Sequence, residues 1–210
     1  MAAEPWMEKV LYCIAALCSV LPIMTLAFTM RRVVALLGKG SATLPPDRGL
    51  DACMMVFFLF NFPFITYIVD IEQIIIADPG NFQYPFWPPP IMVDLIHWYG
   101  KNYDPLLMAR PTWWKVTIWW DVLFFGPFYV LAFYAFLFRK RWIRFPSICY
   151  SCVLLTIVSV ILAEETFGPH AAPQRSLVLL LNAPWVVEPA CLLVRMLLEE
   201  KPFGEAKESF

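Results

Sequence analysis

The run WWKVTIWWDVLFFGPFYVLAFYAFLF at residues 113–138 constrains this chain more than any other stretch. It is long enough to cross a bilayer, which takes about 20 apolar residues. Apart from Lys115 near its start it carries one ionisable group, Asp121. A lone carboxylate at that depth is costly, and acids so placed face a cavity, a partner or a ligand. A reading of function therefore starts from Asp121.

Four further apolar stretches lie roughly at residues 10–30, 50–69, 143–163 and 176–198. The segment 71–111 between the second and third spans is too broken to cross. It holds Asp78-Pro79-Gly80 and the stiff run Trp87-Pro88-Pro89-Pro90, which favours extended chain. Residues 91–99 then read as a short amphipathic helix near the interface. Pro63 and Gly126-Pro127 predict kinks in their spans. Composition agrees: of 210 residues, 60% are hydrophobic and only 16% charged. A soluble domain has nearer half and a quarter. The expected fold is all-α, a polytopic membrane protein with a five-transmembrane-helix bundle around an intramembrane ligand cavity.

Charge sets the expected topology. Arg31, Arg32, Lys39 and Arg48 flank the first loop, and Arg139, Lys140, Arg141 and Arg144 the third. With five spans these loops and the C-terminal tail share one side. The positive-inside rule makes that side cytosolic and the N-terminus lumenal. Lys101, Arg110 and Lys115 fall on the opposite side. The first apolar run lacks a basic n-region and a small-residue cleavage site, so it reads as a retained helix. The expected division is an extra N-terminal helix and cytosolic loop (1–49), a four-helix domain (50–200) and a polar cytosolic tail (201–210). No basic stripe tracks a phosphate backbone, so nucleic acid is not an expected partner. The six cysteines, Cys149-x-x-Cys152 included, read as small buried hydrophobes, with no metal or cofactor expected.

Asp70, Asp121 and Glu188 are the acids of interest. Glu164 and Glu165 sit at the end of the fourth span, and Glu165 reads as a solvated interfacial acid. A buried acid can be protonated, share a proton with another acid, or meet a cationic or hydroxylated ligand. It can also simply bond a neighbouring helix. Two acids of unequal affinity for protons can move a double bond, one donating to an alkene carbon and the other removing a proton beside it. Trp113, Trp114, Trp119 and Trp120 near Asp121, and Trp185, could face a cation or serve as packing and interface anchors. Asn182-Ala183-Pro184-Trp185 adds polar atoms to an apolar helix, and Pro184 and Pro189 predict local breaks lining a cavity.

Residues 62–196 resemble the EXPERA superfamily, with its sigma-2 receptor and emopamil-binding sterol isomerase branches. The resemblance to the sigma-2 branch runs through His97-Trp98-Tyr99-Gly100-Lys101, Asp104-Pro105-Leu106-Leu107 and Pro111-Thr112-Trp113-Trp114-Lys115. It continues through Trp142-Ile143-Arg144-Phe145-Pro146, Ile148-Cys149-Tyr150-Ser151 and Thr66-Tyr67-Ile68-Val69-Asp70. It implies a cavity whose key acids are Asp70 and Asp104, with Asp121 in place of a Glu. Tyr150, Thr156 and Trp185 fall at further pocket positions, Trp185 where the receptor branch has Tyr. The run Asn182-Ala183-Pro184-Trp185-Val186-Val187-Glu188-Pro189 and the Gly126-Pro127 after Asp121 are similar to the isomerase branch. That branch's His and Glu in the second span have no counterpart: Phe62 and Thr66 stand there, and His97 and His170 are expected in loops.

The resemblance implies a multi-pass protein of the endoplasmic reticulum membrane that meets membrane lipids and a sterol or other hydrophobic small molecule. Family members often form dimers, so a homodimer is the implied oligomer. Three functions follow as expectations. The chain binds a sterol-like or cationic amphiphile through Asp70, Asp104, Asp121, Tyr150, Thr156, Asn182, Trp185 and Glu188, in sterol homeostasis or transport. Alternatively it isomerises a sterol or related terpenoid, with Asp121 and Asp70, facing each other across the cavity, as catalytic acids. Or it is a non-catalytic membrane partner or stability factor.

Overall fold

A computed structural model of the chain describes residues 5–39, 47–199 and 201–203. Among the described residues, five helices are long and apolar enough to cross a membrane. They are α1 (Pro5–Lys39), α2 (Arg48–Ile75), α4 (Thr112–Leu137), α5 (Arg141–Phe167) and α6 (Arg175–Leu198). The amphipathic α3 (Pro90–Asn102) follows the broken segment after α2. The first expected loop falls largely on residues 40–46 and the polar tail on 204–210, outside the described residues.

α1 runs past Arg31 and Arg32 instead of stopping there. Arg32 is buried in an ion pair with Glu199 beyond the end of α6. Other contacts gather the same ends. Arg195 bonds Asp51 at 2.5 Å, and Arg144 donates to the carbonyls of Met196 and Glu199. The end of α1 and the starts of α2 and α5 thus meet the end of α6, the same-side arrangement that five spans require.

That half of the bundle is packed solid. Phe57, Phe58 and Tyr129 are almost wholly buried, and the rings of Phe128 and Tyr150 stack with centroids 4.1 Å apart. In lipid, where the hydrophobic effect between helices is absent, such van der Waals fit holds helices together. Three of the six cysteines, Cys13, Cys149 and Cys152, are exposed rather than buried. Helices turn outward as well as inward in a bundle whose solvent is hydrocarbon.

Two spans are irregular where the prolines predict it. Asn61–Asp70 in α2 and Asp121–Phe125 in α4 are wide π-helical turns. Pro127 has no N–H for the carbonyl of Leu123, and the chain widens just before it. Side chains satisfy part of the irregular backbone. The Tyr67 hydroxyl donates to the Val122 carbonyl at 3.2 Å, and the Trp87 ring N–H to the Tyr67 carbonyl at 2.5 Å. By contrast α6 continues as one helix through Pro184 and Pro189, so the expected breaks are absent.

The two wide turns meet at Gly126. A Cβ there would stand 2.8 Å from Cγ2 of Thr66 and 2.9 Å from the Tyr67 hydroxyl. Gly126→Val should therefore push α2 and α4 apart and destabilise the protein by about 1–3 kcal/mol, the usual cost of overpacking. Thermal unfolding of the purified variant in detergent measures this; an unchanged midpoint would mean that the contact is not tight.

Candidate functional site

The half of the bundle opposite the basic ends is hollow. Its cavity measures about 230 Å³, whereas one water needs about 10–15 Å³. α1 contributes Val10, Leu11, Ile14 and Cys18 to an otherwise mixed wall from every other span, α3 and the Asp104 turn. Spacing explains which residues arrive there. On α4 the lining residues Trp114, Ile118, Asp121 and Phe125 recur every three or four positions, and so do Leu154, Val158, Ile161 and Glu165 on α5. Such residues share one helix face.

Asp70 and Asp121 both line the cavity, each at one edge of a wide turn. Their carboxyls lie close enough to interact. They are therefore side by side, rather than facing each other across the space as expected. Two like charges so close repel each other, which a shared proton or a cationic guest would relieve. Asp121 is 8% exposed. Thr66 and Tyr129 approach it, yet its Oδ2 and the Thr66 hydroxyl lack a hydrogen bond of normal geometry. A buried polar atom without a partner is costly and invites one.

A second acidic group lines the same cavity. Glu165 was expected at a solvated interface, but it is 2% exposed. It accepts from the Asn182 amide at 3.2 Å and contacts Asp104. The last turn of α5 is closed over by Asp104 and by α6, which no local pattern foretells. Asp104 also accepts from the Leu106 N–H at 3.2 Å. Burial pushes the Asp104 carboxyl from 3.8 up to about 6, partly offset by hydrogen bonds it accepts from the Leu106 backbone and from the Glu165 carboxyl.

The sign of the pH effect follows. A folded pKa above the unfolded one adds stability that is full below the unfolded value, near 3.8, and is lost as pH rises through about 6. The thermal midpoint should thus fall between pH 5 and pH 7, and Asp104→Asn should flatten that slope. Equal slopes in both proteins would rule out Asp104 as the titrating group.

Aromatic lining comes from Trp98, Tyr99, Trp114 and Trp185. Trp119 and Trp120, neighbours of Asp121 in sequence, are 47% and 39% exposed and turn outward. Trp114 donates to Gln73 at 2.5 Å. Trp185 donates at 2.8 Å to Asn61, which is itself wholly buried. These bonds fix two indoles on the wall.

Three expected ligand residues lie elsewhere. Tyr150 is one turn below Leu154, in the solid core, 3.4 Å from the Tyr129 hydroxyl. Thr156 is off the lining face of α5 and exposed, its hydroxyl bonded to the Cys152 carbonyl. Glu188 is wholly buried away from the cavity, facing Thr25 of α1, and both its oxygens lack normal partners. Six residues separate it from Asn182, which at 100° per residue turns it about 120° from that side chain.

Sequence reading missed a buried ionic cluster beside the site. Glu72 accepts from Arg110 at 2.8 Å and contacts the His97 ring at 2.8 Å. Arg110 also donates to the carbonyls of Leu107 and Ile76. His97 is thus a buried residue of α3, not a loop residue, and is absent from the cavity wall. The cluster ties the end of α2 to α3 and to the turn that carries Asp104. Among the described residues, no group of three His, Cys, Asp or Glu side chains is placed to hold a metal ion.

A family model, EXPERA (EXPanded EBP superfamily), matches residues 91–196. The chain is 30% identical over 166 residues to sigma intracellular receptor 2 of Macaca fascicularis, covering 71% of this chain and 88% of that protein. The chain belongs to the EXPERA family. The Homo sapiens receptor gives the same identity and coverage. That of Xenopus tropicalis is 29% identical over 163 residues, 72% of this chain and 90% of its own. The EXPERA match spans α3 to the end of α6, and so includes Asp104, Asp121, Glu165 and Asn182.

Proposed function

We propose that this protein binds a sterol-like or cationic amphiphile in the endoplasmic reticulum membrane, in sterol homeostasis or transport. One observation carries the reading. The cavity is mostly apolar, yet it is walled by Asp70, Asp104, Asp121 and Glu165, and among the described residues no Lys, Arg or His lines it. Buried charge needs a counter-charge or a proton. An ammonium group beside Asp70 and Asp121 supplies the counter-charge, the apolar wall takes the skeleton, and the indole faces favour a cation. Relatives named as receptors favour binding over chemistry.

A second reading, isomerisation of a sterol or related terpenoid, is favoured by the closeness of Asp70 and Asp121. The protonated member gives its proton to one alkene carbon. The other alkene carbon becomes cationic, the carbon beyond it loses a proton to the other carboxylate, and the double bond has moved by one position.

Incubating purified protein with sterols in deuterated water separates the two. Deuterium in a shifted product, absent with Asp121→Asn, supports the isomerase. Saturable binding of an unchanged sterol or amphiphilic amine supports the receptor. If neither sterols nor amines bind to folded protein, both readings fail.

A further inference from the structure

The cavity has two separate sets of acceptors, and this says more about its ligand than a single acid does. Asp70 and Asp121 form the inner set. Asp121 is nine residues inside α4, roughly 14 Å along the axis at 1.5 Å per residue. Glu165, Asp104 and Asn182 form the outer set. Glu165 is two residues from the end of α5, roughly 3 Å along its axis, and Asp104 lies outside the spans altogether.

Three of the donors between them are already engaged, while Trp98 and Tyr99 also line the wall. The ring N–H of Trp114 is engaged by Gln73, that of Trp185 by Asn61, and the Thr117 hydroxyl by the Trp114 carbonyl. The Asn182 amide donates to Glu165 and to the Val178 carbonyl, which leaves its Oδ1 as an unengaged acceptor. At the inner set, Oδ2 of the buried Asp121 lacks a hydrogen bond of normal geometry. Acids at two depths, with apolar surface between, suit a guest with donors at two positions.

We infer that the natural ligand is bifunctional: a rigid hydrophobic skeleton with a donor group, amine or hydroxyl, at each end, one end meeting Asp70 and Asp121 and the other meeting Glu165, Asp104 and Asn182. A skeleton roughly 10 Å long matches the difference in depth of the two sets. The inference rests on the proposed binding function and deepens it.

The test uses two probes on one alicyclic skeleton of that length, a monoamine and the corresponding amino alcohol, with the full-length protein in detergent. The amino alcohol should bind at least tenfold more tightly than the monoamine. Glu165→Leu should bring the two affinities within twofold of each other. Asp121→Asn should weaken both probes by a similar factor. If the amino alcohol has no advantage in the unaltered protein, the inference is overturned while the binding function stands. The same holds if its advantage survives Glu165→Leu or, should that variant fail to fold, Glu165→Gln combined with Asn182→Ala. If neither probe binds to folded protein, both the inference and the function it rests on fall.

Discussion

Asp121→Asn should weaken binding of amphiphilic amines strongly while leaving the protein folded. Removing one member of a buried, hydrogen-bonded charge pair across an interface costs about 2–5 kcal/mol, so a loss on the order of 100-fold in affinity is expected, at 1.4 kcal/mol per tenfold. The fold should not suffer. Oδ2 of Asp121 makes no hydrogen bond of normal geometry, and an amide there offers Asp70 a donor in place of a second acid. The thermal midpoint should stay level or rise. Equilibrium binding and thermal unfolding on one preparation decide the matter. A variant that binds amines normally, or one that binds poorly only because it has unfolded, would assign Asp121 a purely structural role.

Arg110→Met should have the opposite profile, with a large loss of stability. Glu72 is wholly buried, and Arg110 is its cationic partner from 38 residues along the chain. Removing one partner of a buried ion pair strands the other, at about 3–5 kcal/mol. The guanidinium also serves the Leu107 and Ile76 carbonyls, so three acceptors lose a donor together. The double variant Glu72→Gln with Arg110→Met should recover much of the loss, since the charge that was stranded is gone. Urea or thermal unfolding of the two singles and the double in detergent measures the coupling. Additive losses would show that the two side chains do not depend on each other.

These two residues differ in how plainly the sequence announces them. Asp121 stands alone in a long apolar run, so its depth is legible from composition along one helix. The five spans are legible for the same reason, and the prolines at 63 and 127 mark where two of them become irregular. Arg110 and His97 meet Glu72 only after α2, α3 and the turn before α4 have packed, and no local pattern encodes that meeting. Glu165 is instructive in another way. Its distance from Leu154, Val158 and Ile161 places it on the lining face of α5, but its position at the helix end argued for solvent. Periodicity was the better guide, because Asp104 and α6 close that end. The same periodicity separates Thr156 from the lining face and turns Glu188 away from Asn182. Depth in the membrane and orientation around the helix are independent, and an acid must satisfy both to reach the cavity.

The most direct test of the cavity's role is an experimental structure with a bromine-labelled amphiphilic amine bound. The ammonium nitrogen should lie within about 4 Å of an Asp70 or Asp121 carboxylate oxygen, the ion-pair limit, with the skeleton between α1, α4 and α5. An amine found instead on the lipid-facing surface, or a bundle interior filled by side chains with no guest, would contradict the account.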